Sequence, residues 1–324
     1  MTSAPSTDVR VPSRSERVAF TSTGLARCWF AGQAAAGALW WLAVFASDDL
    51  RRWTLGGLDH QMLVAPDLVL FAGASALAAA LASRAWAVVA AIWTVVVTVV
   101  LAGYGLVQQE AGWGVVLMVA ASVGTLAATA SLWLGGLPTH WFFVGPFRFR
   151  VADDGPGARH LRRSLVQLVV FWTTFFVLVP ALLVAAERRL EVTAPFLDGA
   201  GWRAAGWVVF LLGSAGGLWS CVTMALQGEG TPLPAETARH LVVAGPYRYV
   251  RNPMAVCGAL QTIGVGLVLG SWAVVAIAVA GAVAWNVAIR PGEEADLRAR
   301  FGEPFDRYCE QVRCWIPARP VPAT

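Results

Sequence analysis

HLVVAGPYRYVRNP, residues 240–253, together with Arg239 just before it, sets three arginines and two tyrosines between two long apolar runs. A charged side chain at the centre of a bilayer costs about 2.5–3.5 kcal/mol even on insertion scales. The stretch therefore lies at a membrane surface or lines a polar cavity. The apolar segments on either side decide which.

Over 324 residues the chain is 57% hydrophobic and 14% charged, with a mean hydropathy of +0.60. Soluble domains do not have this composition, so the expected fold class is all-α, a polytopic membrane helical bundle. Apolar runs near 28–47, 62–82, 86–107, 113–134, 164–186, 202–224, 253–269 and 272–289 give about eight spans. The expected organisation is a disordered basic tail over 1–25, an N-terminal membrane region over 26–163, and a core with a charged tail over 164–324. The tail has no early apolar segment of the kind a cleavable signal peptide carries.

All 24 basic residues are arginine, as a GC-rich bacterial genome would give. With the N-terminus inside, 19 of them fall on the inner side of alternate loops and 5 on the outer side. This predicts a multi-pass cell-membrane protein, a bacterial inner-membrane one, with both termini and residues 240–253 cytoplasmic. Membrane topology accounts for the net charge of +4, so no nucleic-acid partner is expected. The five cysteines lack CxxC spacing and the four histidines are scattered, so neither a disulfide framework nor a metal site is expected. Elbow, phosphate-loop and HExxH motifs are absent. Gly213/Gly217 and Gly266/Gly270 have the spacing of close helix packing.

The last two apolar runs form a tight hairpin turning at Gly270-Ser271, which returns the chain to the arginine-rich side. Next comes RPGEEADLRARFGEPFDRYCEQVRCWIP, residues 290–317. Glu293 and Glu294 are expected to open a short helix that Gly302 ends, with Pro304 in the first turn of a second. Phe305, Tyr308, Cys309 and Val312 make one stripe on that second helix, to be laid on the membrane surface or on the loop before the hairpin. Residues 140–151 also echo 240–251, sharing His, Gly-Pro and aromatic-Arg-aromatic in order, as a duplication or by chance.

Gly228, Gly230, the arginine-tyrosine stretch, Asn252-Pro253 and Glu293-Glu294 thus meet on one face. Arginine and bare glycine amides suit a carboxylate, glutamates suit hydroxyls or an ammonium, and tyrosine rings suit a flat base or a sulfonium. S-adenosylmethionine has all these parts, while an anionic lipid would also use the arginines. The bland alternatives are topology anchors for Arg239, Arg248 and Arg251, a helix cap for the glutamates, and belt residues for Tyr247 and Tyr249.

GPYRYVRNPM, the hairpin and EEADLRARFGEPFDRYCEQVRCWIP together resemble the isoprenylcysteine carboxyl methyltransferase and phospholipid methyltransferase superfamily, over roughly residues 205–317. The resemblance implies an integral membrane enzyme that uses S-adenosylmethionine and methylates a membrane lipid or other apolar small-molecule acceptor. It implies cofactor-binding roles for Gly228, Gly230, Tyr247, Arg248, Arg251, Asn252, Pro253, Glu293 and Glu294; His240 is a further cofactor-binding candidate from its place in the same stretch, and Arg251 and Glu294 are the candidates for catalysis. Asn252 stands where the carboxyl methyltransferase branch has histidine, Ala255 where an aromatic is common and Cys257 where a glycine is usual, so these positions bear on the acceptor. Residues 1–200 lie outside the resemblance. The competing functions are a transporter or lipid-binding protein without catalysis, and an NADPH-dependent reductase of similar fold. Against a transporter stands the expectation that no isolated ionisable residue lies deep in a span.

Overall fold

The computed structural model describes residues 14–135, 157–228, 238–317 and 319. Gly230 and residues 140–151 lie outside this set. Among the described residues regular structure is entirely helical, and seven helices are long and apolar enough to cross a membrane. The chain divides into two compact units, 1–138 and 139–324.

In the first unit, α1 (Arg14–Ala46), α3 (His60–Leu81), α4 (Arg84–Gln108) and α5 (Gly112–Leu134) are long, and α2 (Asp48–Leu55) is a short amphipathic link. α1 begins inside the segment expected as a tail. No proline interrupts residues 14–46, so helix nucleated in the apolar part propagates toward the N-terminus. Its core is built mostly from small side chains, among them Ala26, Ala74, Ala78, Ala87, Ala90 and Ala128 around Phe30 and Leu132. Lipid supplies no hydrophobic drive between helices, so close backbone approach over small residues must hold them together.

Several polar groups inside these spans pair with one another. Thr125 Oγ1 donates to Gln33 Oε1 at 2.5 Å, and Gln33 Nε2 donates to Ser75 Oγ at 3.1 Å. Asp67 sits within α3, but it is not the isolated ionisable residue whose absence was expected, because two indoles reach it. Trp41 Nε1 donates to its Oδ2 at 2.7 Å and Trp93 Nε1 to its Oδ1 at 2.8 Å. Both carboxylate oxygens are thereby satisfied without water.

The second unit contains α6 (157–189), α7 (Ala200–Gln227), α8 (Pro253–Leu269), α9 (Trp272–Phe301) and α10 (Glu303–Gln311). α7 and α8 pack with their backbones nearly touching. A Cβ on Gly206 would fall 2.8 Å from the Gly264 carbonyl oxygen, and one on Gly213 would fall 2.9 Å from Gln261 Cγ. The expected Gly213 packing role holds. Gly270 takes φ +66°, which a glycine adopts without penalty, and Ser271 Oγ then caps α9 by accepting from the Val274 N–H at 3.2 Å. The hairpin therefore turns where the sequence places it. α8, at 17 residues, is the short leg and the eighth apolar segment.

The other leg differs from expectation. Glu293 and Glu294 do not open a new helix, because α9 continues unbroken through Arg290 and Pro291 to Phe301, 30 residues in all. A proline in mid-helix clashes with the carbonyl four residues earlier. Here that carbonyl, of Val287, lies in a π-turn over Trp285–Ile289, which widens the helix and absorbs the conflict. A π-turn over Thr174–Leu178 does the same ahead of Pro180 in α6. The apolar part of α9 ends at Ile289, and the charged turns from Arg290 onward project beyond the membrane-spanning part.

Candidate functional site

Within 139–324 a cavity of about 640 Å³ is walled by α6, α7, α8, α9, the loop before α8 and the C-terminal tail. Most of its wall is apolar, with Phe171, Trp172 and Phe175 from α6 facing Ala255, Ala259, Ile277 and Ala278 from the hairpin. One end is ionic and gathers His240, Tyr247, Arg251, Asn252, Arg290, Glu293 and Glu294.

Local sequence positions each group. Asn252 Oδ1 accepts from the Ala255 N–H at 3.0 Å, so it is the N-cap of α8, and Pro253 suits the first helical position because it has no N–H to satisfy. Pro246 and Tyr247 lie buried in a 3-10 turn over Gly245–Arg248. The tail folds onto this loop. Phe305, Tyr308 and Val312 are buried against Val243, with Leu241, Leu297, Phe301 and Cys309 beside them. The stripe on α10 thus lies on the loop before the hairpin, one of its two expected partners. Tyr308 Oη donates to the Tyr247 carbonyl at 2.6 Å, and the Arg251 N–H donates to the Arg313 carbonyl at 3.0 Å.

Arg251 is the junction. Its Nη1 donates to the carbonyls of Cys309 at 2.9 Å and Val312 at 3.2 Å, and its Nη2 to Glu294 Oε1 at 2.9 Å. The same Glu294 oxygen accepts from Arg290 Nε at 2.9 Å. Arg290 Nη1 and Trp315 Nε1 then share Asn286 Oδ1, at 2.8 and 2.9 Å. Within this network Arg251 Nε is buried and has no hydrogen-bond partner among the described residues.

Glu293 is the contrast. Among the described residues no hydrogen bond or ion pair reaches it, although protein surrounds it and it borders the cavity. Burial, and then the neighbouring charges of Glu294 and Asp296, push its carboxyl up to about 7. Burial likewise raises the Tyr247 and Tyr308 phenols and the Cys314 thiol, so these stay protonated at neutral pH. Glu293 is thus shifted into the physiological range.

The other expected site residues are placed elsewhere. Gly228, Arg248 and Pro253 are not in the cavity wall. The Gly228 carbonyl accepts the Arg239 N–H at 2.7 Å, and a Cβ there would fall 2.8 Å from Val242 Cγ2, so this glycine fixes the loop against the end of α7. Sequence reasoning left out Arg290, Asn286 and Trp315. Arg290 had a signal, since it stands four residues before Glu294, the spacing of a helical ion pair. Trp315 had none, because its contact depends on the tail folding back.

The architecture defines a class, a multi-pass helical membrane protein with an apolar cavity closed at one end by arginines and carboxylates. Residues 202–304 match the family model described as phospholipid methyltransferase, and this segment is a domain of that family, within the isoprenylcysteine and phospholipid methyltransferase superfamily. No curated protein and no solved structure matches the chain.

Proposed function

We propose that the second unit is a membrane methyltransferase that binds S-adenosylmethionine at the ionic end of the cavity and methylates a lipid or another apolar small molecule. The observation that carries this is the asymmetric pair of neighbouring carboxylates. Glu294 is held by two arginines, whereas Glu293, beside the void, has no partner among the described residues. Burying an unpaired acid is costly, and a cationic ligand is what would offset that cost.

The residues present fit this cofactor. Glu293 would take its ammonium or ribose hydroxyls, the Arg251 guanidinium its carboxylate, and Tyr247 would offer a ring at its base. S-adenosylmethionine, when bound, supplies a methyl group on a cationic sulfur, transferable without redox change. Glu294 acts through others, fixing the guanidinium groups of Arg251 and Arg290, and is a positioning residue. The tail, tied to Arg251 and Tyr247, keeps water from the ionic end, which strengthens charge interactions there. Methyl transfer to a ready nucleophile needs chiefly alignment and exclusion of water, so no dedicated base is required. The apolar wall suits an acceptor arriving from the membrane, and the arginine-rich loop and both termini lie on the cytoplasmic side in this reading.

The test is incubation of purified protein in nanodiscs with methyl-labelled S-adenosylmethionine and a membrane lipid extract. Label in an organic-soluble product supports the proposal. No transferred label, combined with saturable NADPH binding, would favour the reductase.

A further inference from the structure

A second, smaller cavity of about 180 Å³ lies at the hairpin turn, where the end of α6, the segment 190–198 and Leu269-Gly270 meet. It has no lining residue in common with the larger one. From Trp272 to Glu293 α9 rises about 32 Å at 1.5 Å per residue, so the ionic end is remote from it. Long-range bonds build its frame. Trp272 Nε1 donates to the Val192 carbonyl at 2.5 Å, and the Val192 N–H donates to the Glu187 carbonyl at 3.0 Å. Asp198 is pressed against the turn, since a Cβ on Gly270 would fall 2.7 Å from its Oδ1.

Three charged side chains border this cavity, and among the described residues only part of one is committed to the fold. Glu187 is 5% exposed, and its Oε1 accepts from the Ala273 N–H at 2.8 Å, capping α9 from outside that helix. Its Oε2 has no hydrogen-bond partner among the described residues, and no ion pair among them reaches the carboxylate. Taking a carboxylate out of water is costly, and one neutral N–H does not recover that cost. Arg188 and Asp198 are exposed, and among the described residues neither side chain makes a hydrogen bond or an ion pair. Asp198 is not a helix cap either, because α7 begins after Gly199 with no side-chain cap. Thr193 adds an exposed hydroxyl to the same wall.

Charges of both signs around so small a space suit a ligand that carries both. A lone anion would meet Glu187 and Asp198, and a lone cation, a metal ion included, would meet Arg188. The volume is that of about six waters at 30 Å³ each, which takes a molecule of roughly five to eight non-hydrogen atoms. Two carboxylates suit the three N–H donors of an ammonium, and a guanidinium with a hydroxyl suits one anionic group beside it.

We propose that this cavity is a second ligand site, which binds a small zwitterion made of a primary ammonium and one carboxylate or phosphate. Glu187 Oε2 and Asp198 take the ammonium, and Arg188 takes the anion. The ligand is a free molecule such as a small amino acid, or the head of a membrane lipid of the same chemistry. The site is independent of the methyltransferase reading, which concerns the other end of α9.

The probe is isotope-labelled glycine, titrated by equilibrium dialysis into full-length protein in phosphatidylglycerol nanodiscs, which supply no ammonium. Saturable binding is expected at one molecule per chain. Methylamine and acetate, each with one of the two charges, should compete at least about tenfold more weakly than unlabelled glycine. Glu187→Gln keeps an acceptor for the Ala273 N–H and so keeps the cap, yet glycine affinity should fall about tenfold or more. Arg188→Gln and Asp198→Asn should each do the same with the melting temperature unchanged, as for other surface substitutions. Nanodiscs that also contain phosphatidylethanolamine separate the two sources. A rise in the apparent Kd of glycine there supports the site with a lipid head as occupant, and an unchanged Kd supports it with a free ligand. Glycine binding no greater than to empty nanodiscs would overturn the site. So would equal affinity in wild type, Arg188→Gln and Asp198→Asn, or competition by methylamine or acetate as strong as by glycine.

Discussion

Asp67 in the first unit and Glu293 in the second, both partly buried, are treated in opposite ways. In the first, Asp67 has an indole N–H on each oxygen, and the nearby Gln33, Ser75 and Thr125 satisfy one another. In the second, Glu293 borders a cavity with no partner among the described residues, one position from a glutamate that two arginines hold. A carboxylate fully occupied by the protein has no capacity left for a ligand and serves to join helices. One left unpaired is destabilising by itself and gains from whatever enters the cavity. The intramembrane acid is therefore structural, and the acid beyond the membrane-spanning part is where binding is expected.

Four substitutions test that contrast. The largest effect belongs to Arg251→Ala, which removes two bonds to tail carbonyls and one to Glu294. Loss of a partly buried charged junction should cost about 3 kcal/mol or more and free the tail. Thermal melting together with faster proteolysis after Gly302 would register it, and cofactor affinity should fall with it. Glu294→Gln should come next, at about 1.5–3 kcal/mol, because Arg251 and Arg290 both lose a charged acceptor. If affinity fell far more than stability in this variant, Glu294 would touch the ligand directly.

Glu293→Gln separates binding from stability. The folded-state pKa of Glu293 is raised to about 7, so ionising it costs stability as pH rises toward 7, and below the ordinary carboxyl range that cost vanishes. The glutamine variant should melt no lower than wild type at neutral pH and higher on the alkaline side. Its affinity for a cationic ligand should nonetheless fall about tenfold above pH 7, equivalent to about 1.4 kcal/mol. Asp67→Asn should have the smallest effect, about 1 kcal/mol, since one indole keeps its acceptor, and it should leave ligand affinity unchanged. A loss of binding in Asp67→Asn would break the distinction between the two acids.

Much of this architecture was legible in the sequence, because span length and the Gly270-Ser271 turn are local signals. The Asn252-Pro253 start of α8 and the stripe on α10 were legible for the same reason. Other features depended on distant partners. Continuation of α9 past Pro291 required a π-turn that no residue pattern announces. The occupation of Asp67 required indoles from α1 and α4, each 26 residues away in the chain. Residue types alone placed Arg251, Glu293 and Glu294 together at the cofactor. Geometry divides them, into a junction that anchors the tail, an unpaired acid at the void, and a clamp on two arginines. Gly228 looked like a ligand glycine and serves the close approach of the loop to α7.

The most direct measurement is calorimetric titration of S-adenosylmethionine into the purified protein, in detergent and in nanodiscs, on both sides of pH 7. Saturable binding is predicted at one molecule per chain, tighter on the alkaline side as Glu293 ionises, and independent of pH across this range in Glu293→Gln. Absence of binding in both media, or equal pH dependence in wild type and Glu293→Gln, would contradict the assignment of the ionic end as the cofactor site.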